Sequence, residues 1–176
     1  MSATKGIKFE GRFFWAYDVA AGGFLKHLID EAEASEHSQE PWLSKAVSSW
    51  RVQAAITEVG LTLDEEWSGT QRQIFIRLAE GACKKLATRE SIPADEVASW
   101  PLVDELRIFP RSRTEILTAP VIELDHAIIA LVSGNLPRSP RRKAWFYGTP
   151  VGRSTIRMTG GDWETVCSAN HPLRRR

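Results

Sequence analysis

Cysteine is scarce: Cys83 and Cys167 are the only two in 176 residues. They stand far apart and in no ligand spacing, which argues against a disulfide framework and against a zinc ribbon or finger. No apolar run reaches the roughly 18 residues of a transmembrane helix. Residues 1–12 scatter Lys5, Glu10 and Arg12 among few apolar positions, without the apolar stretch of an export signal. A cytoplasmic protein with reduced thiols, away from any membrane, is the expectation. The usual chemistry-bearing loops are missing as well. There is no phosphate loop or dinucleotide fingerprint and no Gly-x-Ser-x-Gly elbow. No acid, base and nucleophile stand together, so no catalytic residue, cofactor or metal is assigned. Repeats at solenoid periods of about 20–50 residues are absent too.

What is present is the composition of a globular domain. Hydrophobic residues make up 43% and charged residues 26%, enough of the first to fill a core and too few of the second to suggest a disordered chain. Seven tryptophans are spread along the chain, about one per presumed element. That spacing fits core and docking residues better than a single stacking platform.

Ile7, Phe9 and Phe13–Trp15 read as one strand over 7–16, bulged near Gly11. Asp18 is placed to cap the next helix, whose stripe is Phe24, Leu25, Leu28, Ile29 and Ala32. Gly22 and Gly23 weaken its first turn by about 1 kcal/mol each and leave room for a close neighbour. Pro41 opens a second helix, reaching about Val59 on Trp42, Leu43, Ala46, Val47, Trp50 and Ala54. Ser68-Gly69-Thr70-Gln71 has capping-box spacing. The helix behind it is striped by Ile74, Phe75, Leu78, Ala82, Cys83 and Leu86, and Cys83 there reads as an inert core thiol. A short helix over 93–99 follows. Strands are expected at 106–109 and 115–117 around a turn at 110–113. Thr118 then caps a helix with Pro120 in its first turn, striped by Val121, Leu124, Ile128 and Leu131 and stopped by Gly134. An Arg/Pro link over 135–143 leads into a hairpin of strands 144–147 and 154–158. The expected class is α+β, three to four core helices packed with a small, mostly antiparallel sheet contributed largely by the C-terminal half. One domain spans 1–160, and 161–176 is a poorly patterned, partly mobile basic tail.

Charge is divided along the chain. The net value is only +1, but residues 134–176 hold nine Lys and Arg against Asp162 and Glu164, leaving fourteen cations against twenty acids before them. Arg138, Arg141, Arg142 and Lys143 run into Trp145 and Tyr147, and Arg153 and Arg157 fall on one face of the returning strand. Guanidinium groups fork onto carboxylate or phosphate, and neighbouring aromatics can stack on a ligand. These eight residues are the candidate binding site; the plain alternative is a solvated loop whose long stems cover apolar surface. The opposing acidic cluster comprises Asp30, Glu31, Glu33, Glu36 and Glu40, with Asp64, Glu65 and Glu66 in a second loop. It is either a solvated face or a docking surface anchored by Trp42 and Trp67.

Other constellations are weaker. His27 with Glu31, Glu33 with His37, and Glu123 with His126 stand at helical spacings that suit a metal, but also at those of ordinary surface pairs. Cys167 precedes His171 by four residues, a nucleophile-and-base combination whose spacing alone proves nothing. Thr159–Asp162 has the make-up of a small anion nest or a plain turn.

The reading that follows is a small cytosolic binding protein, bacterial in style, acting through a charge-polarised macromolecular surface on a protein partner. An inhibitor or immunity-type partner of a toxic enzyme is its concrete form. One alternative is an RNA- or DNA-binding protein using Arg138–Arg157, although such proteins tend to be basic throughout. Another is an enzyme or small-ligand protein with a pocket between helices and sheet. The oligomeric state stays open.

Overall fold

Glu10 and Gly11 both have positive φ, 47° and 73°, the two-residue arrangement that folds one strand back on the next with the right-handed twist of a sheet. The computed structural model describes residues 4–55, 60–103, 106–107 and 115–157. The stretch expected to be one bulged strand is instead a hairpin, β1 (Thr4–Phe9) and β2 (Arg12–Tyr17), with Phe9 opposite Arg12. Gly11 accommodates a full reversal, and the alternation restarts behind it.

Helix α1 (Asp18–Ala34) follows without a loop. Asp18 is its first residue rather than its cap; Tyr17 takes the cap position without a side-chain bond. The Asp18 carboxylate is buried and lies 3.9 Å from the ammonium of Lys5, itself buried, which also donates to the Gln53 carbonyl. That cation ties the first strand to two helices. Helix α2 (Pro41–Ala55) begins at the expected proline; its expected end at 56–59 lies outside the described residues. The two-residue β3 (Leu61–Thr62) lies parallel to β1. At Gly60 an added methyl would stand 2.6 Å from the Gly6 carbonyl oxygen, so the close approach needs glycine.

Helix α3 (Gly69–Leu86) carries the capping box in full. Gln71 N–H donates to Ser68 Oγ at 3.3 Å, and Ser68 N–H donates to Gln71 Oε1 at 2.8 Å. Short elements follow: β4 (Ser91–Ile92), α4 (Ala94–Ser99), β5 (Pro101–Val103), β6 (Leu106–Arg107) and β7 (Ile116–Leu117). β5 pairs with β6, whereas β7 pairs back to β4. The expected turn at 110–113 lies outside the described residues. Helix α5 (Thr118–Val132) starts at Thr118, not after it: the hydroxyl donates to the Arg89 and Glu90 carbonyls at 2.6 and 3.0 Å, tying α5 to the end of α3. Gly134 ends α5 at φ 74°, with Asn135 N–H on Ala130 O (2.7 Å) and Gly134 N–H on Leu131 O (3.1 Å). This is the Schellman pattern. β8 (Lys143–Tyr147) and β9 (Ser154–Arg157) close the described chain as the expected hairpin.

The fold is α+β, as expected. Its main sheet has the order β3-β1-β2-β8-β9. Antiparallel pairing dominates by length, but the joints β1–β3 and β2–β8 are parallel, and the centre of the sheet is the N-terminal hairpin. One face carries Ile7, Phe9, Phe14, Ala16 and Tyr147 into the main core with α1, α3 and α5. The other gathers Phe13, Trp15, Ala144, Phe146 and Ile156 into a smaller cluster. The glycine face of α1 meets α5, where a methyl added at Gly23 would just touch Val121 at 3.4 Å. Trp50, Trp67 and Phe75 interlock α2 with α3, their ring centroids 5.1–6.4 Å apart.

Candidate functional site

The basic link is held at fixed points that leave its cations outside. Leu136 is buried. Arg12 reaches across to donate to the Gly134 and Leu136 carbonyls, the latter at 3.2 Å. Trp145 N–H donates to Ser139 Oγ (3.4 Å) and its indole Nε1–H to Pro137 O (3.2 Å). Between these anchors Arg138, Arg141 and Arg142 are exposed. Pro140 O accepts from Lys143 N–H at 3.0 Å, closing a tight turn in which Arg142 takes φ 58°. A left-handed conformation costs a non-glycine residue of order 1 kcal/mol and is concentrated at functional sites.

Hairpin register then sorts the rest. Lys143 lies directly opposite Arg157, and Trp145 opposite Thr155. Alternation therefore puts Lys143, Trp145 and Tyr147 on the same side as Arg153, Thr155 and Arg157. Lys143 and Arg157 are exposed, with like charges facing across the ladder. Arg153 is differently employed: its guanidinium lies 4.6 Å from the Trp145 ring centroid and bonds the Tyr147 hydroxyl. Burial raises the Tyr147 pKa, and Arg153 opposes that shift. Tyr147 packs edge-on to Phe14 at 4.9 Å inside the core, so it supports the hairpin from beneath. Of these eight residues, Arg138, Arg141, Arg142, Lys143, Arg153 and Arg157 are exposed, and of these Arg153 is engaged over Trp145.

The two charged regions differ in how their charges are used. Seven cations of the first part each have a carboxylate: Lys5 with Asp18, Lys8 with Glu65, Lys26 with Asp30, Arg51 with Glu33, Arg72 with Glu10, Lys85 with Glu31 and Arg89 with Glu96. Among the described residues no carboxylate pairs with any cation from Arg138 to Arg157. Within the acidic cluster Asp30, Glu31, Glu33 and Glu65 hold these cations, and Glu36 and Glu40 face His37. Its proposed anchors are not free either: Trp67 is buried, and Trp42 packs on it edge-on at 5.8 Å while its indole donates to Glu40 at 2.6 Å.

Two further constellations emerge. Cys83 is not a core thiol: it is partly exposed, with its Sγ 3.4 Å from His126 Nε2. Burial, with the charges of Asp125 and Glu80, raises its pKa, which works against a nucleophilic thiolate. Asp125 beside it is fully buried, neither oxygen has a hydrogen-bond partner, and burial pushes its pKa up to about 8. Glu123 does not join His126; it accepts from Gly148 N–H at 3.1 Å. The second constellation is an open cleft of about 370 Å³ where α1, α3 and α4 meet. His27 Nδ1 lies 2.9 Å from Gly23 O, which can only accept, so that nitrogen carries the proton and Nε2 receives Arg89 at 3.3 Å. Burial lowers the pKa of this neutral imidazole. Arg89 also forks onto Glu96 at 2.7 and 2.8 Å, holding that carboxyl below its usual range. Lys26 and Lys85, which also line the cleft, are paired too, so its charges are already matched. Among the described residues no three metal-ligating side chains converge, and no helix is long and apolar enough to cross a membrane. Cys167, His171 and the Thr159–Asp162 run lie outside the described residues. No known protein family, characterised protein or solved structure matches the chain.

Proposed function

We propose that the protein is a small binding protein that holds a protein partner through its basic link and hairpin, in the manner of an inhibitor or immunity-type partner of a toxic enzyme. The observation that carries this reading is the contrast in pairing. Among the described residues, seven cations elsewhere are neutralised by the molecule's own carboxylates, whereas no carboxylate pairs with the cations of 138–157. An exposed cation with no internal partner keeps its full field for an external one. The strained φ of Arg142 points the same way, since glycine would relieve it. The nucleic-acid alternative loses support at Trp145: one ring face is covered by Arg153 and the indole N–H is engaged, which leaves little stacking surface. The pocket alternative is weakened by the fully ion-paired state of the cleft.

The test is capture from nuclease-treated extract of the native cell with three baits. These are the wild type, a variant with Arg138, Arg141, Arg142, Lys143 and Arg157 all changed to Gln, and Glu36→Gln as a control on the acidic side. One protein retained by the wild type and the control, and lost by the five-fold variant, is the expected result. Equal retention by all three overturns the reading.

A further inference from the structure

We infer that β9 is an acceptor edge for an acidic extended segment of the protein partner, which adds as a sixth strand and seats a carboxylate against Arg157, on the side that also bears Lys143. The inference rests on the function proposed above and specifies its contact.

Among the described residues β9 is an end strand of the five-stranded sheet, bonded on one side to β8 only. An end strand presents a row of backbone N–H and C=O groups that another strand can satisfy. Its four residues span roughly 13 Å, the footprint of a short recognition strand. Alternation decides what the added strand meets. Arg157 and Thr155 are exposed on the side that also bears Lys143, while Ser154 and Ile156 point to the opposite face and are half-buried.

Charge selects the occupant. Lys143 and Arg157 are directly opposite partners, and like charges in that relation destabilise a ladder. No carboxylate of the described chain relieves them. A carboxylate from an incoming strand removes that repulsion and gains two charge-assisted hydrogen bonds. A second copy of this chain does not fit. Antiparallel pairing of β9 with β9 sets Arg153 and Arg157 against the same arginines, the arrangement that charged edges use to prevent self-association. Arg138, Arg141 and Arg142, in the link and turn just before Lys143, extend the field toward further acidic residues of the same segment.

The probe is a synthetic peptide of about eight residues alternating Glu with Thr, enough to cover the β9 edge, titrated against the full chain at low salt. Two isomers are compared, each N-methylated at alternate amides, one set on each edge of the peptide when extended. Strand addition predicts that one isomer binds like the parent and the other loses roughly tenfold or more in affinity, a gap of about 1.4 kcal/mol. K143Q/R157Q is expected to weaken the parent by a similar factor, yet to fold at least as stably, because it removes a like-charge pair. Equal binding of the parent and both isomers overturns strand addition while leaving the basic-surface reading intact, as does equal loss by both. A single-stranded oligonucleotide that binds more tightly than the peptide and is lost in the same variant overturns the choice of a protein occupant. The capture experiment fails independently, because it reads the whole cation set and not the backbone edge.

Discussion

A carboxyl group buried with both oxygens unpaired is stable only as the neutral acid, and Asp125 is in that position. Its pKa is raised from 3.8 to about 8. Below the unfolded value both states hold the proton and the contribution to stability is complete. As pH rises toward the folded value the unfolded chain releases a proton that the folded chain keeps, so stability falls, by at most about 1.4 kcal/mol per pH unit. Asp125→Asn cannot ionise. The variant is expected to outlast the wild type in denaturant at pH 8, with the gap between their midpoints shrinking at pH 5; a gap constant with pH contradicts the assignment. Arg142 makes the complementary case at the surface. Arg142→Gly relieves a left-handed φ worth of order 1 kcal/mol, partly offset by added freedom in the unfolded chain. Thermal melts are expected to show unchanged or higher stability, while affinity for the captured partner drops several-fold. A loss of stability with affinity intact contradicts the functional role given to this residue. Neither feature was legible in the sequence. Asp125 is not one of the stripe residues Val121, Leu124, Ile128 and Leu131, and nothing local to Arg142 announces φ > 0. The exposed arginines themselves were legible, because composition alone exposes a charge excess.

At the scale of elements, local chemistry wrote what could be read and long-range pairing wrote what could not. The capping box at Ser68, the proline start of α2, the Gly134 stop and the β8–β9 hairpin all follow from side chains within a few residues of the feature. The parallel joints β1–β3 and β2–β8 join segments remote in sequence and leave no local signature. The same holds for β4–β7, two residues against two, whose register is fixed by Thr118 reaching the Arg89 and Glu90 carbonyls. Thr118 was a plausible cap from its neighbours alone; only the position of α3 shows why its hydroxyl turns elsewhere. Two substitutions probe this division. Ser68→Ala removes an acceptor for a helix-end amide and is expected to cost about 1 kcal/mol, read from denaturant midpoints. Gly148→Ala adds strain at φ 76° and a methyl 2.8 Å from the Ala20 Cβ, next to the Glu123 contact. It is expected to cost more than the cap, on the order of 2 kcal/mol or above. If Ser68→Ala proves the costlier, the packing of the β8–β9 turn against α1 is looser than these distances imply.

Across the whole molecule, the arrangement of charge matters more than its sum. A net charge of +1 predicts weak attraction to anything at long range. Yet a cation paired at contact distance presents only a dipole, whereas an unpaired one acts as a charge out to a Debye length of about 8–10 Å in physiological salt. The described basic surface therefore behaves as a set of single charges facing outward, whereas about half of the acidic cluster is already held in pairs with Lys or Arg. For an acidic partner this arrangement steers encounter before any contact forms. Association rate is then expected to fall by roughly tenfold or more between about 50 mM and 500 mM salt, with dissociation changing much less. The five-fold Gln variant is expected to associate slowly at low salt and to lose most of that dependence. Neutralising exposed acids such as Glu36 and Glu66 has the opposite sign, because it removes repulsion, and modestly quickens association at low salt. Stopped-flow or surface-binding kinetics with the captured partner measure both. A wild-type association rate flat across this salt range means that the unpaired arginines do not guide the encounter, and the contrast in pairing on which the functional proposal stands loses its consequence.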